Sequence, residues 1–104
     1  MLPLGLRQLT IHGAFNQILV SGDLLFGLRQ LTLSDNYNQR IHKGVLPPRL
    51  RRLNFGCAYN QPIGEGMLPS GLRELNMGYF FNQPIHRGVL PDSLNLLTFD
   101  GDYK

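Results

Sequence analysis

The sequence predicts a repeat solenoid, a stack of coils that each carry one short parallel β-strand and little or no α-helix. Three observations carry this. An aromatic-Asn-Gln triplet recurs at Phe15-Asn16-Gln17, Tyr37-Asn38-Gln39, Tyr59-Asn60-Gln61 and Phe81-Asn82-Gln83, and its asparagines step by 22 residues. A fixed period of that size marks an array of stacked units. Leucines fall into columns of the same period, while glycines and prolines keep fixed places between them, punctuating turns instead of forming a flexible linker.

The repeats divide one solenoid domain, residues 1–104, into blocks 2–23, 24–45, 46–67, 68–89 and a partial block 90–104. Each block opens on Leu (Leu2, Leu24, Leu46, Leu68, Leu90), and Pro follows in four of them: Pro3, Pro47, Pro69 and Pro91. The strand comes next. Its apolar columns are Leu6, Leu28, Leu50, Leu72, Leu94, then Leu9, Leu31, Leu53, Leu75, Leu97, then Ile11, Leu33, Phe55, Met77, Phe99. Side chains two apart share one face of a strand, so Leu75 and Met77 point inward and Glu74, Asn76 and Gly78 point outward. One strand per coil, all running the same way, stacks as a parallel sheet at ~4.8 Å per coil. The Leu-x-x-Leu-x-apolar spacing makes the fold leucine-rich-repeat-like.

After the strand comes an aromatic column, Phe15, Tyr37, Tyr59, Phe81 and Tyr103, expected to stack internally. The adjoining asparagines need partners in an apolar neighbourhood, which predicts a ladder to turn backbone and to the next coil. Leu19, Ile41, Ile63 and Ile85 form a further core column, and Gly22, Gly44, Gly66 and Gly88 close the blocks. A return of this length is too short for a full helix, and its prolines remove helix donors. It is expected to be extended, with at most one helical turn.

Composition bounds the function. With 42% hydrophobic and 16% charged residues, the chain is globular and not disordered. The net charge of +3 permits an anionic partner without requiring one. Cys57 is the single cysteine, no Asn-x-Ser/Thr acceptor occurs, and no apolar run approaches the ~18 residues of a membrane span. These features predict a cytoplasmic, reducing environment and no membrane.

The pattern (Phe/Tyr)-Asn-Gln-Pro-Ile-x-x-Gly-x-Leu-Pro resembles the FNIP repeat, a leucine-rich-repeat-like unit. It is carried most clearly by Tyr59-Asn60-Gln61-Pro62-Ile63 with Gly66 and Leu68-Pro69, and by Phe81-Asn82-Gln83-Pro84-Ile85 with Gly88 and Leu90-Pro91. Ile18 and Arg40 replace the motif Pro, Leu25 replaces the second block's Pro, and Asp23 stands where later blocks have Val or Met. The family often carries an F-box, which implies substrate recognition in ubiquitin ligation. No F-box stands in these residues, so that role does not carry over. The expectation is a truncated member, a fragment or a short frame split from a longer array, and uncapped sheet edges predict end-to-end self-association.

Two columns are candidate binding residues. The outward strand face should carry Gln8, Thr10 and His12, then Gln30, Thr32 and Ser34, then Arg52, Asn54 and Gly56, then Glu74, Asn76 and Gly78, then Leu96, Thr98 and Asp100. Solenoids use such faces to bind partners, so a protein partner there is favoured over a bare solvated sheet, with Arg52 and Glu74 as its specific contacts. The second column is Arg7, Arg29, Arg51 and Arg73. It could hold a polyanion, but a solubilising rim is favoured, and nucleic acid is disfavoured because the aromatic column is needed inside. A third alternative is a purely structural remnant of a repeat expansion.

The sequence offers no catalytic, metal or cofactor site. His42 and His86 share a column but lie two coils apart, about 10 Å, too far for one metal. Cys57 sits in a variable column beside no paired His. The carboxylates are scattered, and the glycines are spaced by the repeat and not clustered around a phosphate. The chain is therefore expected not to be an enzyme.

Overall fold

A computed structural model describes residues 5–101. Leu2, Pro3 and Tyr103 of the expected columns lie outside the described residues. Five strands form one parallel sheet in sequence order: β1 (Gln8–Thr10), β2 (Gln30–Thr32), β3 (Arg52–Asn54), β4 (Glu74–Met77) and β5 (Leu96–Phe99). The register is that of the repeat, with Leu9, Leu31, Leu53, Leu75 and Leu97 paired in succession. The described residues contain no helix.

The return path is made of tight turns and not of a helical turn. In the third coil Tyr59 N–H donates to Gly56 O at 3.2 Å, Met67 N–H to Gly64 O at 3.2 Å, and Leu72 N–H to Pro69 O at 3.1 Å. The same three turns recur in the second coil at Tyr37, Val45 and Leu50. Gly44, Gly66 and Gly88 hold φ of 87°, 78° and 86° in the middle turn, a conformation that L side chains rarely adopt. In the first block Asp23 caps the equivalent turn. Its N–H donates to Val20 O at 3.0 Å and its Oδ2 accepts Val20 N–H at 2.8 Å. The departure from Val or Met at this position thus serves the turn instead of the core.

Inside lie the expected columns. Leu28, Leu50 and Leu72, Leu31, Leu53 and Leu75, and Leu33, Phe55 and Met77 are buried, as are Ile41 and Ile63. Val45, Met67 and Val89 add a buried column that the sequence marked only by its exception at Asp23. Pro62 and Pro84 are exposed, as are Ile18 and Arg40 in their place, so losing the motif proline leaves the core intact. The rings stack in parallel. Phe15 and Tyr37 are 5.8 Å apart at 6°, and Tyr37 and Tyr59 are 6.2 Å apart at 3°. Phe55 lies on Tyr59 at 4.0 Å.

The Tyr37 and Tyr59 hydroxyls are buried and face the main chain of Leu19 and Ile41, at a geometry too loose for a hydrogen bond. Burial, above all, pushes both phenols above their ordinary value, Tyr59 strongly. The unfolded chain therefore ionises first, near pH 10.0. Stability intact below that pH is lost as pH rises above it toward the folded values. Tyr59→Phe should stabilise the fold by about 1 kcal/mol at neutral pH, because an unsatisfied buried hydroxyl disappears. It should also lessen the loss seen between about pH 8 and about pH 11 in urea melts. Phe15 and Phe81 already occupy this column without a hydroxyl. An equal or steeper alkaline loss in the variant would count against the buried phenol as its source.

The asparagine ladder runs from coil to coil. Asn38 N–H donates to Asn16 Oδ1 at 2.8 Å, Asn60 N–H to Asn38 Oδ1 at 2.9 Å, and Asn82 N–H to Asn60 Oδ1 at 2.9 Å. The following glutamine adds a second rung. Gln61 Nε2 donates to Asn38 O and Oδ1, and Gln83 Nε2 to Asn60 O and Oδ1. The column is half-buried to exposed and not embedded in the core. Asn60→Leu removes the acceptor of two donors and should cost about 1–2 kcal/mol in a urea melt. Asn95→Leu, at an exposed position, should stay within about 0.5 kcal/mol. Equal costs for the two would remove the ladder's share in stability.

Candidate protein-interaction face

Each strand has a position that enters the sheet and one that leaves it on the open side. The entry positions run Gln8, Gln30, Arg52, Glu74 and Leu96, and the exit positions run Thr10, Thr32, Asn54, Asn76 and Thr98, each paired in register with the next. The period brings these residues into two vertical files, and none belongs to the buried core. Along the exit file Asn54 Nδ2 donates to Thr32 Oγ1 at 3.2 Å. Along the entry file Arg52 Nε meets Glu74 Oε2 at 2.9 Å. The two side chains are 53% and 40% exposed, so solvent leaves the pair at most about 1 kcal/mol. Arg52 and Glu74, singled out as contacts for a partner, are thus bound first to each other.

The third outward position does not belong to the open face. Ser34, Gly56 and Gly78 are buried. The strands end before them, and the chain folds inward into the first turn of the return, whose carbonyls at Ser34, Gly56 and Gly78 accept from Tyr37, Tyr59 and Phe81. Ser34 Oγ donates to Phe15 O at 2.9 Å. A Cβ on Gly56 would overlap Ser34 O, and one on Gly78 would overlap Gly56 O. Strict alternation fails because it holds only while the backbone stays extended. The exposed His12 and Asp100 mark the same column in the end coils.

The arginine column flanks the entry file. Its main chain is a fixture of the sheet edge. Arg29 O accepts Arg51 N–H at 2.8 Å and Arg52 N–H at 3.0 Å, and Arg51 O accepts Arg73 and Glu74 in the same way. Its side chains gather unequally. Arg29, Arg51 and Arg73 share an open groove of about 600 Å³ with Arg52 and Glu74. Asn95 and Leu96 close it at the last coil. Arg7 lies apart, in a shallow hollow of about 110 Å³ with Arg29 and Arg49. Asn95 joins the site without being an arginine, because it occupies the arginine column one period beyond Arg73. Reading the column past its last arginine would have found it.

Elsewhere the surface carries Tyr79 and Phe80 in edge contact at 5.0 Å, and Phe26 under the Arg49 guanidinium at 5.6 Å. Cys57 is a half-buried free thiol whose N–H and Sγ lie against Asp35. Among the described residues no three of His, Cys, Asp and Glu gather into a metal-binding group, and no helix is long and apolar enough to cross a membrane.

A parallel sheet built from in-register coils, with one polar open face and no helix, defines a leucine-rich-repeat-like solenoid, a class generally used as an interaction scaffold. The FNIP repeat model matches residues 15–58 and 59–102, and the chain belongs to that family. Among solved structures it is similar to CroV588, described as a novel circular LRR protein. The two share 43% identity and a TM-score of 0.91 over 94% of this chain. The chain spans 14% of that protein's length. No curated protein matches it.

Proposed function

We propose that this chain is a protein-interaction module that docks a protein partner on the open face of its parallel sheet. One observation carries this. The two outward files, polar except at Leu96, lie outside the buried core, and Arg52, Glu74 and Leu96 of the entry file also line the arginine groove. The mechanism is shape with polar contacts and has no covalent step. The rigid stack presents the contacts preorganised, which lowers the ordering cost of association.

Binders selected from a displayed library against the chain provide the test. Thr32→Arg and Asn54→Arg place a long cation on the open face without entering the core. Most independent binders should lose affinity to these variants and keep it for His86→Arg on the return path. The proposal fails if the folded face variants retain the binders while His86→Arg loses them.

A further inference from the structure

We propose that the groove at the entry edge of the sheet receives an acidic peptide segment, with carboxylates at alternate positions, from the protein partner; this rests on the interaction role just assigned to the sheet face. The groove is lined by four arginines, Arg29, Arg51, Arg52 and Arg73, and by one acidic residue, Glu74. The described residues include nine cations and six anions, so the five cations and five anions outside the groove cancel. The excess of +3 among the described residues thus equals the charge of this groove's lining. Only Arg52 is matched, by Glu74, and among the described residues Arg29, Arg51 and Arg73 have no carboxylate partner.

A solubilising rim would spread its charges over a convex surface. Here three unmatched arginines spring from backbone positions one coil apart, about 4.8 Å by sheet geometry, and line one hollow. Arg29 and Arg51 are half-buried. Mutual repulsion at that spacing is only partly screened by salt, and a cleft focuses the field toward an incoming anion. Guanidinium groups bind carboxylates through paired, charge-assisted hydrogen bonds.

The chemistry favours a peptide over a nucleic acid. Among the described residues no aromatic ring lines the groove, so bases have nothing there to stack on. The Glu74 carboxylate opposes a run of phosphates, whereas it can accept from a peptide N–H. Asn95 offers an amide, and Leu96, 53% exposed, offers apolar contact to a side chain beside the acids. An extended peptide repeats its same-side residues every ~6.7 Å. Arg29 to Arg73 covers two coil spacings, about 10 Å, so two or three alternate acids span the unmatched arginines, with the long side chains taking up the difference.

The test uses the chain itself and a fluorescein-labelled peptide of about ten residues, with Glu at alternate positions around one Leu. Fluorescence anisotropy should show binding that weakens at least about tenfold when every Glu becomes Gln. Arg51→Ala and Arg73→Ala should each weaken it about tenfold with unchanged melting temperatures, whereas Arg87→Ala, exposed on the return path, should leave it within about twofold. The proposal is overturned if the Glu and Gln peptides bind alike or if the groove variants bind as the parent does. It is also overturned if a single-stranded oligonucleotide outcompetes the peptide with a steep salt dependence. Display-selected binders separate the two levels. Binders lost on Thr32→Arg but unmoved by Arg51→Ala leave the open face as the docking surface and remove the acidic peptide. Binders moved by neither variant remove both.

Discussion

Gly78→Ala should destabilise the protein by about 3 kcal/mol or more, the upper range for overpacking, because the added methyl has no space to occupy. Its Cβ would overlap Gly56 O and crowd Cys57 Cα at 2.8 Å. These are backbone atoms of the coil below, so no rotamer change relieves the clash. The coil could yield only by lifting away, which would break neighbouring rungs such as Phe80 N–H to Cys57 O at 3.0 Å. Gly78 has an ordinary negative φ, so the expected loss is one of space and not of backbone strain. Gly64→Ala is the control. Nothing lies within 4 Å of a Cβ built there, and its φ is also not positive. It should be neutral, or stabilising by about 0.5 kcal/mol through a stiffer unfolded chain. Urea melts of both variants measure the difference. A Gly78→Ala protein within about 1 kcal/mol of the parent would show that the coils are not stacked as closely as described.

Leu53→Ala should cost about 2–5 kcal/mol, the range for a buried leucine truncated to a methyl. Leu53 has 0% exposure at the centre of β3, between Leu31 and Leu75 in the same file. The cavity would open in the middle of the stack, where neighbours on both sides are held in register and collapse little. Leu9 and Leu97, in the same file at the ends of the sheet, are only half-buried. Their replacement by Ala should cost roughly half as much or less, since less area leaves water on folding. A quasi-one-dimensional protein should show this gradient, because each coil draws stability from its immediate neighbours. Thermal and urea melts of the three variants check it. A loss at Leu53 below about 1 kcal/mol, or no difference between centre and ends, would mean the file is not a continuous core.

The period of 22 residues was enough to predict the parallel sheet, its register and the three apolar files, because translation along the stack brings like residues over like. It also predicted the ring stack and an asparagine ladder, although not that each Asn side chain would accept the backbone N–H of the coil above. The candidate face was legible only in part. Alternation correctly set Thr32, Asn54 and Asn76 apart from the core, but it carried Ser34, Gly56 and Gly78 outward with them. Nothing in the residue types of Arg29, Arg51 and Arg73 distinguished a rim from a groove, and Arg7 in the same column lies elsewhere.

Sequence alone therefore determined what lies above and below each residue, since a strict period imposes translation without further information. The tertiary structure decided what lies beside it within a coil: the three turns, the inward fold at Gly56 and Gly78, the burial of Val45 and Met67, and the arginine groove. The physical reason is that repetition is silent about the path of the unit repeated. That path depends on turn torsions and on contacts across the coil, which only the folded chain brings together.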